Sequence, residues 1–343
     1  GGRGGHRRRG QKPGRSMTAN GPGVRIGVVG VGHLGRHHAR LLAASSGAQL
    51  VGIADVSPER AGAAEKANGC PSYSDYRALI GKVDAVSIAV PTLDHLRVAR
   101  DFLDAGVHVL VEKPMTSTLA EAQELVALAD RAGCVLAVGH TERFNPAVAA
   151  AIPMISAPRF IEVHRLSGFP DRSLDIDVVF DVMIHDLDIV LAIDRSEVLS
   201  VDAVGVPVLS EKVDIANARL KFASGCTVNL TASRISRDRV RKVRFFQRDQ
   251  YVYVSVDYGE QELEAYRIVP GQAGRPAIDG GTVKVEKGEP LGLELQDFVD
   301  AIREGRAPRV TGQDGYRALA LATRVAEAIQ VNENPPGVPG LRQ

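Results

Sequence analysis

Residues 26–55 constrain the fold of this chain more than any other stretch. Ile26-Gly27-Val28-Val29 is a short apolar run of the kind that forms a buried strand, and it leads into Gly30-Val31-Gly32-His33-Leu34-Gly35. A helix-like stretch follows, then a second apolar run, Leu50-Val51-Gly52-Ile53-Ala54, which ends in Asp55, twenty residues past the last glycine of the turn. A strand, a glycine-rich turn, a helix and a strand closed by a carboxylate each have a task in holding a dinucleotide. Gly30 permits the tight turn, Gly32 lets the backbone approach a pyrophosphate, and Gly35 lets the helix sit close to the strand. The helix N-terminus offers N–H groups and a partial positive charge to the phosphates. Asp55 would accept hydrogen bonds from the adenosine ribose and repel a 2′-phosphate, which favours NAD over NADP. A doubly wound domain that holds no nucleotide is the alternative; the flanking strands and the acid at this distance favour the dinucleotide.

The same alternation continues. Ser57-Pro58-Glu59 reads as a helix start and Gly69 as its end. Residues 84–90 form a buried strand, 93–105 a helix ended by Gly106, and 108–111 the next strand. Thr118-Leu119-Ala120-Glu121 is a capping box opening a helix to Arg131, with Gly133 beyond it and a strand over 135–138. This spacing predicts a parallel sheet covered on both faces, an α/β Rossmann domain over residues 24–141.

After about residue 142 the pattern changes. Residues 160–164 read as a strand, 180–193 as a helix, and 216–222 and 226–232 as the arms of a hairpin turning at Ala223-Ser224-Gly225. Further strands are expected over 240–246 and 251–256, and closing helices over 293–304 and 315–330. Residues 142–332 are therefore expected to form an α+β substrate-binding and oligomerisation domain with a mainly antiparallel open sheet, followed by a tail over 333–343. Two domains suit 343 residues, and 44% apolar with 24% charged residues is the balance of a soluble globular protein.

Net charge narrows the partners. The formal value is +1, but residues 1–16 hold Arg3, Arg7, Arg8, Arg9, Lys12 and Arg15 and no acid, and removing those six charges leaves −5. Residues 1–23 read as a disordered basic extension without the apolar core of a secretory signal. No apolar run approaches the roughly 20 residues that span a bilayer, so no membrane partner is expected. Cys70, Cys134 and Cys226 form no closely spaced pair, which argues against a disulfide framework or zinc site and fits a reducing cytoplasm.

Ligands of open parallel sheets sit beyond the carboxyl ends of the strands. Val90-Pro91-Thr92, Glu112-Lys113-Pro114 and Gly139-His140-Thr141 all lie there. Lys113, just past a buried strand, would be partly desolvated and near a positive nicotinamide ring, and both effects favour its neutral, proton-accepting form. A plain surface lysine at a strand end is the other reading. A second constellation is Asp181-Val182-Met183-Ile184-His185-Asp186-Leu187-Asp188. Asp181 and His185 are four apart and share one face of a helix, where a carboxylate would orient the imidazole as a general base. A satisfied core histidine is the alternative. No second ligand cluster supports a metal.

These motifs together resemble the Gfo/Idh/MocA family of oxidoreductases over about residues 24–329. The carriers are Gly30-Val31-Gly32-His33-Leu34-Gly35, Val90-Pro91-Thr92 with His95, Glu112-Lys113-Pro114, and the Asp181/His185 pair. The resemblance implies NAD as cofactor, held by Gly30, Gly32, His33, Leu34, Gly35, Asp55, Val90, Pro91, Thr92, His95, Glu112 and Lys113. It also implies that Lys113, Asp181 and His185 meet over the nicotinamide and manage the proton of the reacting hydroxyl, with Lys113 and His185 both able to be the base. Within the family, Gly139-His140-Thr141-Glu142-Arg143-Phe144-Asn145-Pro146, Glu162-Val163-His164-Arg165-Leu166 and His185-Asp186-Leu187-Asp188 are most similar to the bacterial UDP-N-acetylglucosamine 3-dehydrogenases of lipid A biosynthesis. These oxidise a sugar C3 so that an aminotransferase can install nitrogen.

That similarity implies a nucleotide-sugar substrate, for whose diphosphate His140, Arg143, Asn145, His164, Arg165 and Arg172 fall near the expected cleft. Residues 234–248 hold seven basic side chains and could contribute, although Val240, Val243 and Phe245 interleaved with Arg241, Lys242 and Arg244 read mainly as an outer sheet face or the interface of a homo-oligomer. One basic strand without a supporting motif does not make a nucleic-acid surface. Another sugar or polyol of the inositol type, a deoxy sugar, a tetrapyrrole, or a non-catalytic NAD-binding regulator are the alternatives.

Overall fold

The computed structural model describes residues 23–168, 176–272 and 275–333. β1 (Val24–Val29), β2 (Ala48–Ala54), β3 (Ser72–Tyr73), β4 (Ala85–Ile88), β5 (His108–Glu112) and β6 (Leu136–Gly139) form a six-stranded sheet in the order β3-β2-β1-β4-β5-β6, every pair parallel. Its strands are near-continuous apolar runs because helices cover both faces. The order reverses direction between β1 and β4, which opens a crevice at their carboxyl ends. α1 (Gly35–Ala44), α2 (Pro58–Asn68), α3 (Thr92–Asp104) and α4 (Leu119–Ala132) are the crossovers. Their ends follow local chemistry. Ser57 Oγ accepts from Arg60 N at the start of α2, Thr118 and Glu121 close the capping box of α4, and Gly69 and Gly133 end these helices at positive φ.

The second half opens with α5 (Pro146–Ala151) and β7 (Pro158–Leu166). A π-helical turn over Val179–Met183 runs into α6 (Ile184–Ile193), where uninterrupted α-helix was expected. β8 (Val198–Val206), β9 (Ile215–Phe222), β10 (Thr227–Ser233), β11 (Val240–Gln247), β12 (Tyr253–Asp257), β13 (Glu262–Pro270) and β14 (Pro276–Val283) complete an eight-stranded sheet in the order β14-β13-β12-β11-β7-β10-β9-β8. Its pairs are antiparallel except β7 with β10. Ile161 and Val163 of β7 and Val243 and Phe245 of β11 turn inward into the same buried core as Ile184, Leu187 and Val190 of α6.

α7 (Pro290–Glu304) and α8 (Gly312–Glu333) close the chain. Linear order places α7 in the second half, but Leu295, Phe298, Val299 and Ile302 pack with Val24, Ile26, Val28, Ala39 and Leu42 of the first. α8 contributes Leu319 to the first sheet's core and Ala318, Ala322 and Val325 to the second's. The returning chain ties the two sheets together and so fixes the walls of the cleft between them.

Candidate active site

A cavity of ≈ 1060 Å³ runs along the carboxyl ends of the first sheet. Eleven of the twelve residues expected to hold the cofactor line it: Gly30, Gly32, His33, Leu34, Asp55, Val90, Pro91, Thr92, His95, Glu112 and Lys113. Gly35 lies beneath, where a Cβ would collide with the Gly30 carbonyl oxygen. Gly30 has φ +84°, and a Cβ there would meet the Ala89 oxygen at 2.7 Å. At Gly32 the missing Cβ opens onto empty space, with nothing within 4 Å. No side chain caps the N-terminus of α1. A tight turn, a close helix, an open approach and an uncapped helix end are what a pyrophosphate requires, so these residues fit a dinucleotide.

Asp55 is more constrained than its sequence position suggested. Its oxygens accept from Val31 N at 2.9 Å, Ser57 N at 2.8 Å and Arg60 Nη2 at 2.7 Å. Burial works to raise the Asp55 pKa, but the Arg60 hydrogen bond and the Ser57 and Val31 N–H groups outweigh it and hold the carboxyl below its ordinary value. Arg60 was not singled out from sequence. The available signal was a cation five residues beyond the strand-end acid, in the first turn of α2.

The strand-end segments are braced from below. His95 is buried with Nδ1 3.1 Å from the Pro114 oxygen and Nε2 2.9 Å from the Val90 oxygen, which ties the β4 and β5 ends together. Glu112 Oε1 lies 2.9 Å from His38 Nε2, and His38 Nδ1 contacts Ser87 Oγ at 2.7 Å. Burial pushes the Glu112 carboxyl up, and His38 with Lys113 more than compensates. The peptide from Lys113 to Pro114 is cis.

From this brace Lys113 reaches across to the π-helical turn. Its Nζ donates to the Asp181 backbone oxygen at 2.6 Å and lies 3.3 Å from Asp181 Oδ1. The Asp181 carboxylate thus faces the lysine, and no Asp181–His185 hydrogen bond forms among the described residues, contrary to the expected carboxylate–imidazole pair. The physical reason is the π turn, which changes the angular spacing between positions 181 and 185 from that of an α-helix. His185 Nδ1 is sealed without a partner, which leaves Nε2 as the accessible ring nitrogen. Burial first, then the charges of Lys113 and Arg165, hold the His185 pKa well below the ordinary histidine value, so the ring is neutral. His140 stands edge-on to it with ring centroids 6.2 Å apart, and burial with the Arg143 and Lys113 charges pulls its pKa down to about 3.

The expected diphosphate residues are mostly occupied elsewhere. Arg165 is buried and donates Nε to Asp186 at 2.7 Å, Nη2 to Asp186 at 2.9 Å and Nη1 to Glu142 at 2.8 Å, above the Tyr258 ring. Arg143 is buried, donates to the Arg309 backbone oxygen and lies 3.7 Å from Asp188. Asn145 caps α5 through Ala147 N and donates to the Tyr258 backbone oxygen. His164 lies opposite Lys242 in register, on the sheet face away from Arg165 and α6, because neighbours on a strand point to opposite faces. Arg172 lies outside the described residues. Sequence reasoning missed Glu142, Asp186 and Tyr258 as the partners of Arg165; the acids inside the apolar run of α6 were the available sign that buried cations must answer them.

Among the described residues no group of three or more His, Cys, Asp or Glu could hold a metal, and no helix is long and apolar enough to cross a membrane. The reversed parallel sheet with this glycine turn is the frame of a dinucleotide-binding domain, and comparison with known proteins makes this an NAD-binding oxidoreductase acting on a CH–OH group. Residues 24–140 match the model of the oxidoreductase family with an NAD-binding Rossmann fold, GFO_IDH_MocA. The chain is 41% identical to the UDP-N-acetylglucosamine 3-dehydrogenase of Acidithiobacillus ferrooxidans over 90% of this chain and 97% of the relative. The solved structure of that organism's UDP-N-acetylglucosamine 3-dehydrogenase GnnA superposes with a TM-score of 0.84 at 39% identity, covering 90% and 98% of the two chains. A levoglucosan dehydrogenase solved with NADH and levoglucosan shares the fold, with a TM-score of 0.79 at 20% identity over 90% and 97%. The chain belongs to the Gfo/Idh/MocA oxidoreductase family.

Proposed function

We propose that this protein oxidises the C3 hydroxyl of UDP-N-acetylglucosamine to the 3-keto sugar, with NAD as the acceptor. The observation that carries the reading is the meeting of Lys113, from the end of β5, with the Asp181/His185 segment of the second half beside the dinucleotide cavity. When bound, the dinucleotide supplies the nicotinamide that accepts the C3 hydride. His185, neutral and open at Nε2, takes the hydroxyl proton. Lys113, held by the Asp181 oxygens, donates a hydrogen bond to the sugar oxygen as negative charge develops there. Asp181 therefore positions the lysine rather than the imidazole. The 41% identity to a relative named for this substrate supports the choice of sugar.

The 3-keto product would suit an amine-transfer reaction, and our reading links the protein to an aminotransferase in cytoplasmic lipid A assembly. A homo-oligomer is supported by the outer face of the second sheet. There Phe160, Phe246, Tyr253 and Tyr266 stack in a ladder across strands, and Val204, Val206, Ile268 and Ile278 are exposed.

Lys113→Met tests the reading. At saturating NAD, kcat on UDP-N-acetylglucosamine, followed as NADH absorbance, should fall by about 10²–10⁴. Near wild-type turnover would overturn the assignment. Turnover of myo-inositol without turnover of the UDP-sugar would overturn the substrate.

A further inference from the structure

The basic strand β11 divides its cations between two faces. Arg241 pairs in register with Arg165, and Lys242 with His164. Arg241 therefore shares the inward face with Arg165, Val243 and Phe245, while Lys242 and Arg244 point outward, where they meet Asp257 and Glu162. The interleaved pattern suggested one outer basic face; the pleat puts Arg241 on the other side.

The two inward arginines are in opposite situations. Arg165 spends Nε and both terminal nitrogens on Asp186 and Glu142. Arg241 is partly buried, meets no carboxylate within ion-pair distance among the described residues, and its Nε is sealed without an acceptor. Burial, with the charges of Arg165 and Arg239 adding, holds its pKa below the usual guanidinium value, and its charge is among those that act on the His185 ring. On the turn that leads into β11, Arg237 and Arg239 are exposed and also lack a carboxylate partner among the described residues. A desolvated guanidinium without a counter-ion is costly, and the two acids near it already belong to Arg165. Among the described residues nothing supplies the missing negative charge, and a bound anion would.

We propose that Arg241 is the anion-binding residue of the substrate cleft, holding a phosphate of the nucleotide sugar on the His185 side, with Arg237 and Arg239 as the cationic approach. This rests on the nucleotide-sugar reading above and adds the residue that would separate such a substrate from a neutral polyol. A guanidinium can donate two parallel hydrogen bonds to a phosphate, which an ammonium cannot reproduce.

The test uses the NAD-saturated protein, so that UDP cannot report on the dinucleotide site. Calorimetric titration with UDP should show binding to wild type, weakened by about 10–100-fold in Arg241→Gln and partly restored in Arg241→Lys, the range expected for one charge-assisted contact. The KM for UDP-N-acetylglucosamine should rise by a similar factor while kcat changes less than about threefold. Unchanged NAD affinity and thermal midpoint exclude misfolding; if Arg241→Gln fails to fold, the Lys variant and the wild-type salt dependence of UDP affinity decide. Wild-type affinity for UDP in an unaltered Arg241→Gln protein would overturn the proposal, as would tighter binding of glucuronate than of UDP. Arg241-dependent UDP binding without turnover of the UDP-sugar would uphold the subsite and overturn only the proposed reaction.

Discussion

The two walls of the cleft are built by different rules. On the dinucleotide side the decisive residues are neighbours in sequence, and the backbone does most of the work through Gly30, Gly32, Gly35 and a strand-end carboxylate. On the proposed substrate side Lys113 follows the end of β5, and Asp181, His185, Arg165 and Arg241 come from the π turn, α6, β7 and β11. There the charges are partly or fully buried, so each one's role is set by which partner it finds. A local motif survives as a pattern, whereas a buried charge network exists only after the chain has closed around it.

Breaking the network should cost the most. Arg165→Met leaves Asp186 and Glu142 without their cation and should lower unfolding free energy by about 3–5 kcal/mol, read from the urea midpoint at constant m. An unchanged midpoint would mean that the pair is already solvated. Gly35→Ala attacks the other wall by adding a Cβ that would run into the Gly30 carbonyl oxygen. The turn must shift, and the cost of about 1–3 kcal/mol expected for overpacking should appear as a weakening of NAD binding by roughly 10–100-fold. UDP affinity should change little, which keeps the two walls separable.

Two smaller effects sharpen the contrast through pH. Burial raises the Asp188 pKa to about 7 against the pull of Arg143. A carboxyl raised on folding favours the native state at low pH and loses that advantage as pH rises through the folded value. Asp188→Asn should therefore gain on wild type by ~1 kcal/mol between about pH 6 and about pH 8.5. A gap that narrows instead would contradict the burial. The smallest expected effect is no effect. His185 has its pKa depressed, so it remains neutral as pH falls past the ordinary histidine value, and kcat/KM should show no histidine-type loss from about pH 8 to about pH 6. An inflection near 6.5 that disappears in His185→Gln would show the ring to be solvated.

Much of the scaffold was legible because it is written locally. Ser57, Gly69, the Thr118/Glu121 box and Gly133 mark helix ends where the structure has them. The hairpin of β9 and β10 turns at Gly225, whose φ is +87°. β3, with two residues, and β14, with Gly280 and Gly281 and no alternating apolar face, carried too little periodicity to be read. Asn145 and His164 were plausible cleft residues by position, but a capping role and the parity of one strand sent them elsewhere.

By itself the sequence determined a dinucleotide turn, the alternation that makes a parallel sheet, and which residue types could move a proton, because each depends on contacts within a few residues. Tertiary structure alone decided that Asp181 holds Lys113 instead of His185, that Arg165 is satisfied and Arg241 is not, and that α7 belongs with the first sheet. Those outcomes turn on a π turn, on strand parity and on which buried charges become neighbours, and none of them is a property of a segment before the chain folds back on itself.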